Sequence, residues 1–198
     1  MTATGLPCEY PLAFMASLLQ LTAGSEVRCT DGRVGHVRGL MFDPQARSVT
    51  HLSVDASNVM QNGRIVPLAS VRSAGSAVEL DCAREDYYKF PEDEALDSAI
   101  GGGPSRVTVI HVHLVPHGET ELTDSLNVHA TDGRAGHLAG AAVDQDSQAV
   151  RELLVNVGHF SGRHQVSIPI DAVATVDEHG VHLRLSKDEL SRADSGLT

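Results

Sequence analysis

The chain has 198 residues, and its 41% hydrophobic and 21% charged content is typical of a soluble globular protein. Acidic residues (26) outnumber basic residues (15), and no run rich in Lys or Arg occurs, which argues against direct binding of nucleic acid. The net charge of -11 leaves a basic protein surface as a possible partner, because a negative surface attracts positively charged ones.

Residues 1–23 form an N-terminal extension. Phe14, Leu18 and Leu21 fall at helical spacing after Pro11, so a short helix with an apolar stripe is predicted here. No apolar run reaches the roughly 18 residues that a membrane-spanning helix needs. No Lys or Arg precedes the apolar stretch, which argues against a secretory signal. A cytoplasmic location without a membrane span is therefore expected.

A seven-residue segment occurs twice in the chain, as TDGRVGH at 30–36 and as TDGRAGH at 131–137. Around it, residues 24–56 align without gaps with residues 125–157, and 12 of these 33 positions are identical. This similarity identifies an internal duplication. Each copy is about 65 to 70 residues long, which is the size of a small domain.

The spacing of turn residues within each copy predicts short strands joined by turns. Asp31 and Gly32, with their counterparts Asp132 and Gly133, predict a two-residue hairpin turn because glycine accepts a positive φ. Glycine also recurs inside the following strand, where a missing side chain marks a bulge or a close approach of two backbones. These positions are Gly35, Gly39, Gly136 and Gly140. The repeated aspartates and glycines are therefore interpreted as structural.

A second turn and a terminal helix complete each predicted copy. Asp43 and Asp144 open the second turn, and strands rich in β-branched residues follow. Ser186 and Glu189 match a capping box, which predicts a short helix at the end of the second copy. The first copy ends similarly, but Ala83 stands in place of the capping residue.

Residues 91–106 are acidic and then rich in glycine, which is the composition of a linker. Their GGGP sequence is not a phosphate-binding loop, because no GK[ST] follows it. VTVIHVHLV, from residue 107, is predicted to be a strand that ties the copies together or extends a sheet. The predicted domains are a first unit at 24–90, the linker, a second unit with this strand at 107–193, and a tail at 194–198.

Six segments carry a family resemblance: DGRVGHVRGLMFD, SVTHLSV and IVPLASV in the first copy, and VHATDGRAGHLAG, GHFSGRHQVSIPIDAV and VHLRLSKDEL in the second. Together they resemble the PRC-barrel family. The P-x-G-E segment at 116–119 is similar to the linker of two-copy bacterial members. The resemblance implies an all-β chain with two tandem small PRC-type β-barrels, each ending in a short helix.

The resemblance also implies a non-enzymatic protein-interaction or scaffold module with no cofactor and no shared catalytic residue. Two alternatives stay open. One is an accessory factor in ribosome maturation or RNA processing that acts through a basic ribosomal protein. The other is an accessory to a membrane complex that transfers electrons or protons. The partner is expected to be a protein, and pairing with a second copy of the chain is a further possibility.

The cysteines and two of the histidines are candidates for other chemistry. Cys8, Cys29 and Cys82 lie far apart and form no CxxC motif, so we expect reduced, partly buried thiols rather than disulfides or a zinc site. His111 and His113 would point to one face of a strand, but two imidazoles are half of a zinc site. No bound metal is therefore expected.

His36 and His137 occupy matched strand positions in the two copies. Because histidine gains its charge close to physiological pH, this pair is a candidate for a pH-sensitive interface, with plain strand histidines as the alternative. The sequence contains no nucleophile elbow, HExxH, dinucleotide fingerprint or Walker motif, so catalysis is not expected.

Overall fold

The structure is a computed structural model that describes residues 18–56, 63–93, 96–101, 107–112, 118–157, 164–177 and 179–194. The first copy and the strand before it contribute seven strands: β1 (Leu18–Thr22), β2 (Glu26–Cys29), β3 (Gly32–Asp43), β4 (Ser48–Ala56), β5 (Gly63–Pro67), β6 (Val71–Ala74) and β7 (Ala77–Leu80). The segment between the copies contains β8 (Glu92–Asp93), β9 (Leu96–Gly101) and β10 (Val107–Val112).

The second copy repeats the pattern with β11 (Thr120–Thr123), β12 (Asn127–Ala130), β13 (Gly133–Asp144), β14 (Val150–Val157), β15 (His164–Pro169), β16 (Val173–Asp177) and β17 (Gly180–Leu183). Short helices close the copies: α1 (Arg84–Tyr87) and α2 (Lys187–Asp194). The predicted all-β class is confirmed. Within the described residues, neither large sheet joins its two ends, since one path runs from β6 to β8 and the other from β15 to β16.

Each copy builds its sheet in the same order. The first copy follows the path β6-β7-β2-β3-β4-β5, and the second follows the matching path from β16 through β17, β12, β13 and β14 to β15. In both, the first strand of the copy pairs in parallel with its last strand, β2 with β7 and β12 with β17. All other pairs in these paths are antiparallel.

The strand that precedes each copy pairs with the sheet of the other copy. β1 runs antiparallel to β13, with Leu21 opposite Ala141 and Thr22 opposite Gly140. β11 runs antiparallel to β3, with Leu122 opposite Leu40. The two registers are equivalent after the 101-residue offset between the copies, so the exchange is reciprocal.

The turns between the long strands of each copy meet where the copies touch. Ser48 and Ala149 form an antiparallel bridge. The Val49 N–H donates to the Gln148 carbonyl at 3.0 Å, and the Val150 N–H donates to the Arg47 carbonyl at 2.9 Å. Arg47 and Gln148 have positive φ values of 52° and 59°, which turn their carbonyls towards the other copy. These bonds complete the contact region between the copies, which we call the seam.

The core is shared between the copies. One hydrophobic cluster of the described residues includes Leu40 and Leu52 from the first copy and Leu138 and Leu153 from the second. The exchanged strands contribute to it through their alternating pattern, since Leu19, Leu21 and Leu122 are buried. The burial of β1 therefore depends on the second copy, and the burial of β11 on the first.

The helix predicted from Phe14, Leu18 and Leu21 is wrong over residues 18–22, which form β1. Leu18 and Leu21 do share a helical face, but strand alternation places Leu19 and Leu21 on the buried face and leaves Gln20 exposed. The partner β13 lies about 120 residues away, so the local pattern did not contain the deciding contact. Residues 1–17 of the predicted extension lie outside the described residues.

The segment predicted as a linker at 91–106 contains β8 and β9. β8 pairs with β5 at the edge of the first sheet, and β9 pairs with β10 in a two-stranded hairpin. The expected strand from residue 107 is therefore present as β10, and β9 is its pairing partner. The composition of residues 91–106 predicted a linker and neither strand, because β8 is only two residues long and β9 is followed by glycines.

Candidate functional site

The aspartate of each repeated TDGR segment caps the terminal helix of its own copy. Asp31 Oδ1 accepts the backbone N–H of Arg84 at 2.8 Å, and Asp132 Oδ1 accepts that of Lys187 at 3.0 Å. Arg84 and Lys187 are the first residues of α1 and α2. A carboxylate at this position satisfies a free helix N–H and interacts favourably with the helix dipole.

The glycines of the repeated segment allow close packing of the backbone. A Cβ atom on Gly35 would lie 1.9 Å from the Asp55 carbonyl oxygen, and one on Gly136 would lie 2.1 Å from that of Asn156. Gly32 and Gly133 follow the turn with φ values of 148° and 121°. The two residues of the turn are Thr30 and Asp31 in the first copy, one position earlier than Asp-Gly was predicted to lie.

The repeated histidines contact the repeated arginines. Arg33 Nη2 lies 2.9 Å from His36 Nε2, and Arg134 makes the same contact with His137. His36 pairs with β2 and β4 of its own copy, and His137 pairs with β12 and β14 of its own copy. His36 is half-buried and His137 is exposed. A pH-sensitive interface at these histidines stays a prediction.

A polar cluster that sequence reasoning missed lies in the first copy beside the exchanged strand β11. Arg38 occupies the bulge of β3 between Val37 and Gly39. Its guanidinium lies 2.5 Å from an Asp93 oxygen and 2.8 Å from Glu121 Oε1. Ser53 Oγ donates to Asp93 Oδ2 at 2.8 Å.

This Arg38 cluster, comprising Arg38, Ser53, Asp93 and Glu121, joins four strands of the fold, with Ser53 on β4. Arg38 belongs to β3, Asp93 to β8 and Glu121 to β11, so one guanidinium holds two outer strands against the sheet. Because the Asp93 side chain is only 1% exposed, its charge needs this close cation. The position that matches Arg38 in the second copy is Ala139. The difference between Arg38 and Ala139 at matched strand positions is the feature of the sequence that indicates this cluster.

A shallow groove lies across the seam. Phe42, Pro44 and Arg47 line one wall, and the other wall consists of Ile170, Val173, Ala174, Thr175 and Val176. The duplication places a second, equivalent location on the molecule, and the side-chain contacts there differ from those at the groove. Gln145, which matches Pro44, directs its amide to the carbonyls of Val71 and Arg72 at 3.3 Å and 3.4 Å. Proline has no such donor, so Pro44 cannot make the same contact at the groove.

His111 lies on β10, whereas His113 lies outside the described residues. In the part of the chain that the structure describes, no group of three or more His, Cys, Asp or Glu side chains is arranged to hold a metal ion. None of the described helices combines the length and the apolar character required to cross a membrane.

Comparison with known proteins gives no match for this chain, either among protein-family models or among curated proteins.

Proposed function

We propose that the chain is a non-enzymatic interaction scaffold built from two PRC-type barrels. The observation that carries the proposal is the reciprocal exchange of β1 and β11, which joins the two copies into one body. The repeated carboxylates of Asp31 and Asp132 are groups that acid–base catalysis would use, but both cap helices instead. The strand order that the copies share supports the internal duplication, and the PRC-type assignment rests on the sequence resemblance.

The groove across the seam is the proposed docking surface, and a basic segment of a partner protein is its proposed occupant. Both copies must be in place to form the groove, which suits a module that works as a pair. The chain carries a net charge of -11, so a basic partner is favoured electrostatically. Asp171, next to the groove wall at Ile170, pairs with Arg47 at 3.0 Å, and its side chain stays 91% exposed, so a basic segment would compete with Arg47 for this carboxylate.

Affinity purification of the tagged full chain at native expression tests this function. Thr175→Arg adds a second cation to the groove beside Arg47, whereas Ser73→Arg makes the same change at the matched position of the first copy, near Gln145. We expect basic proteins to be enriched with the wild-type chain and with Ser73→Arg, and to be lost with Thr175→Arg and at high salt. Enrichment of ribosomal proteins would favour the ribosome-maturation alternative. Equal recovery of basic proteins with both variants would contradict the proposal that the partner docks in the groove.

A further inference from the structure

Two cysteines that are distant in sequence meet in the first copy. Cys29 ends β2, and Cys82 lies between β7 and α1. Their sulfur atoms are 3.7 Å apart, and the Thr30 N–H donates to the Cys82 carbonyl at 3.0 Å. A disulfide bond requires about 2.0 Å between the sulfurs, so the two sulfurs must move about 1.7 Å closer for the bond to form.

The second copy shows that this place in the fold does not require thiols. Ala130 and Leu185 occupy the matched positions. The backbone there is arranged in the same way, since the Thr131 N–H donates to the Leu185 carbonyl at 3.0 Å. An apolar pair therefore satisfies the packing, and the first copy has two sulfurs in its place.

The two thiols have different environments. Cys29 is buried and Cys82 is half-buried, so an oxidant reaches Cys82 more readily. Burial raises the pKa of both thiols, and burial together with the hydrogen bond to Cys82 raises the pKa of Cys29 to about 12. That same hydrogen bond lowers the pKa of Cys82, whereas the nearby carboxylates of Asp86, Asp31 and Asp81 raise it. Cys82 is therefore the thiol that reacts first, and its acidic surroundings disfavour anionic reagents.

We propose that Cys29 and Cys82 form an intramolecular disulfide when a neutral small-molecule peroxide oxidises Cys82. The Cys82 sulfur attacks one peroxide oxygen, the O–O bond breaks, and a sulfenic acid and water form when hydrogen peroxide is the oxidant. The Cys29 sulfur then attacks Cys82 Sγ and displaces the hydroxyl group, which takes up the Cys29 proton and leaves as a second water. Two thiols are oxidised and one peroxide is reduced.

The disulfide would fasten the end of β2 to the segment between β7 and α1. It would reinforce the place where Asp31 already caps Arg84. Because the crosslink closes a loop of more than fifty residues, it restricts the unfolded chain and stabilises the first copy. The second copy, with Ala130 and Leu185, would not respond. This inference does not depend on the proposed scaffold function.

The test uses the full chain with Cys8→Ser, so that only the two facing cysteines remain. Hydrogen peroxide should lower the intact mass by about 2 Da, the mass of two hydrogen atoms, and peptide mapping should join Cys29 to Cys82. The melting temperature should rise by about 5–10 °C and return to its starting value after reduction. Oxidised glutathione, which is anionic, should react at least about tenfold more slowly than hydrogen peroxide at the same concentration.

Two control variants separate the disulfide from general oxidation. Cys29→Ala, Cys82→Leu copies the second repeat and should show neither the mass change nor the rise in melting temperature. Cys29→Ala alone should stop at a sulfenic or sulfinic acid on Cys82, with a gain of about 16 or 32 Da. The proposal is overturned if peroxide leaves both cysteines open to alkylation, or adds oxygen without joining them. A faster reaction with glutathione would overturn the choice of oxidant. Mapping the wild-type chain gives the same answer if Cys8→Ser does not fold.

Discussion

At the scale of single residues, Asp31 and Asp132 connect the hairpin turn of each copy to a helix more than fifty residues away. The two helix ends differ in their other caps. Ser186 and Glu189 form the predicted capping box at α2, with the Ser186 N–H donating to Glu189 Oε2 at 2.8 Å. Ala83 supplies no side-chain cap at α1. The first copy therefore depends more strongly on its aspartate.

We expect Asp31→Ala to lower the free energy of unfolding by about 1–2 kcal/mol, and Asp132→Ala by about half as much because the capping box remains. Urea denaturation measures both values. Asp124→Ala, at an exposed turn, is the control and should change the free energy by less than about 0.5 kcal/mol. Equal losses for the two capping aspartates would show that the capping box does not compensate.

The ionised carboxylate of Asp144, on the side of the second copy that faces the seam, makes the stability of the protein depend on pH. The backbone N–H of Ser147 and the Arg151 guanidinium hold the pKa of Asp144 at about 2, below its ordinary value of 3.8. A lowered pKa in the folded state contributes stability that is complete above about pH 4 and is lost as the pH falls through about 2. Asp144→Asn should therefore lower the free energy of unfolding by about 1–2 kcal/mol at neutral pH and by less at pH 2.

Urea titrations across this pH range measure the difference. Asp146→Asn, on an exposed residue of the same turn, is the matched control. The explanation fails if the deficit of Asp144→Asn is the same at pH 2 as at neutral pH, because the lost interaction would then not involve the ionised carboxylate.

The residues of the repeated segment show what a single sequence can predict at this scale. The structural importance of Gly35 was predictable, since a glycine inside a strand indicates a bulge or close approach. The capping partner of Asp31 was not, because Arg84 is close only after β7 has paired with β2. The Arg38 cluster was hidden for the same reason, since Asp93 and Glu121 reach it through pairings of distant strands.

At the scale of elements, the glycines of β3 and β13 admit the exchanged strands. A Cβ atom on Gly140 would lie 2.0 Å from the Leu21 carbonyl oxygen. A Cβ atom on Gly39 would lie 2.7 Å from Glu121 Oε1 and 3.1 Å from the Leu122 carbonyl oxygen. The Glu121 side chain can move, whereas the backbone of β1 cannot move without losing its pairing. The contact at Gly140 is therefore the less tolerant one.

Gly140→Ala should lower the free energy of unfolding by about 2–3 kcal/mol and weaken the docking of β1, and Gly39→Ala should cost less. Hydrogen exchange at the amides of Leu19 and Leu21 reports the docking directly. Gly75→Ala, where an added Cβ meets nothing within 4 Å, is the control. Unchanged protection of the β1 amides in Gly140→Ala would contradict the requirement for glycine at this position.

The strands of each copy could be predicted, whereas the exchange could not. β-branched runs and turn residues mark β4 and β14, and their periodicity holds whatever they pair with. The partner of β1 is a separate question, because the alternation that buries Leu19 and Leu21 does not specify which copy covers them. Which sheet receives β1 depends on the length and path of the chain after it, and these are not written in its local pattern.

At the scale of the whole molecule, the two copies are parts of one folding unit. A fragment with the second copy alone would lack β1, and a fragment with the first copy alone would lack β11. The buried side chains of Ala141 and Leu40 lie opposite these missing strands, so each fragment would expose core surface. The small size of each copy adds to this loss, since little apolar area is left to offset chain entropy.

We therefore expect fragments 1–103 and 104–198 to fail as folded monomers when expressed separately and to recover the fold when expressed together. The complex should contain one copy of each fragment, and its urea transition should shift with protein concentration, as association requires. Fragment 104–198 alone could exchange β11 with a second molecule, in the manner of a domain-swapped dimer. Analytical ultracentrifugation distinguishes these states, with the intact chain as the reference. A monomeric 104–198 that unfolds cooperatively near the midpoint of the intact chain would show that the second copy is independent and that the strand exchange is dispensable.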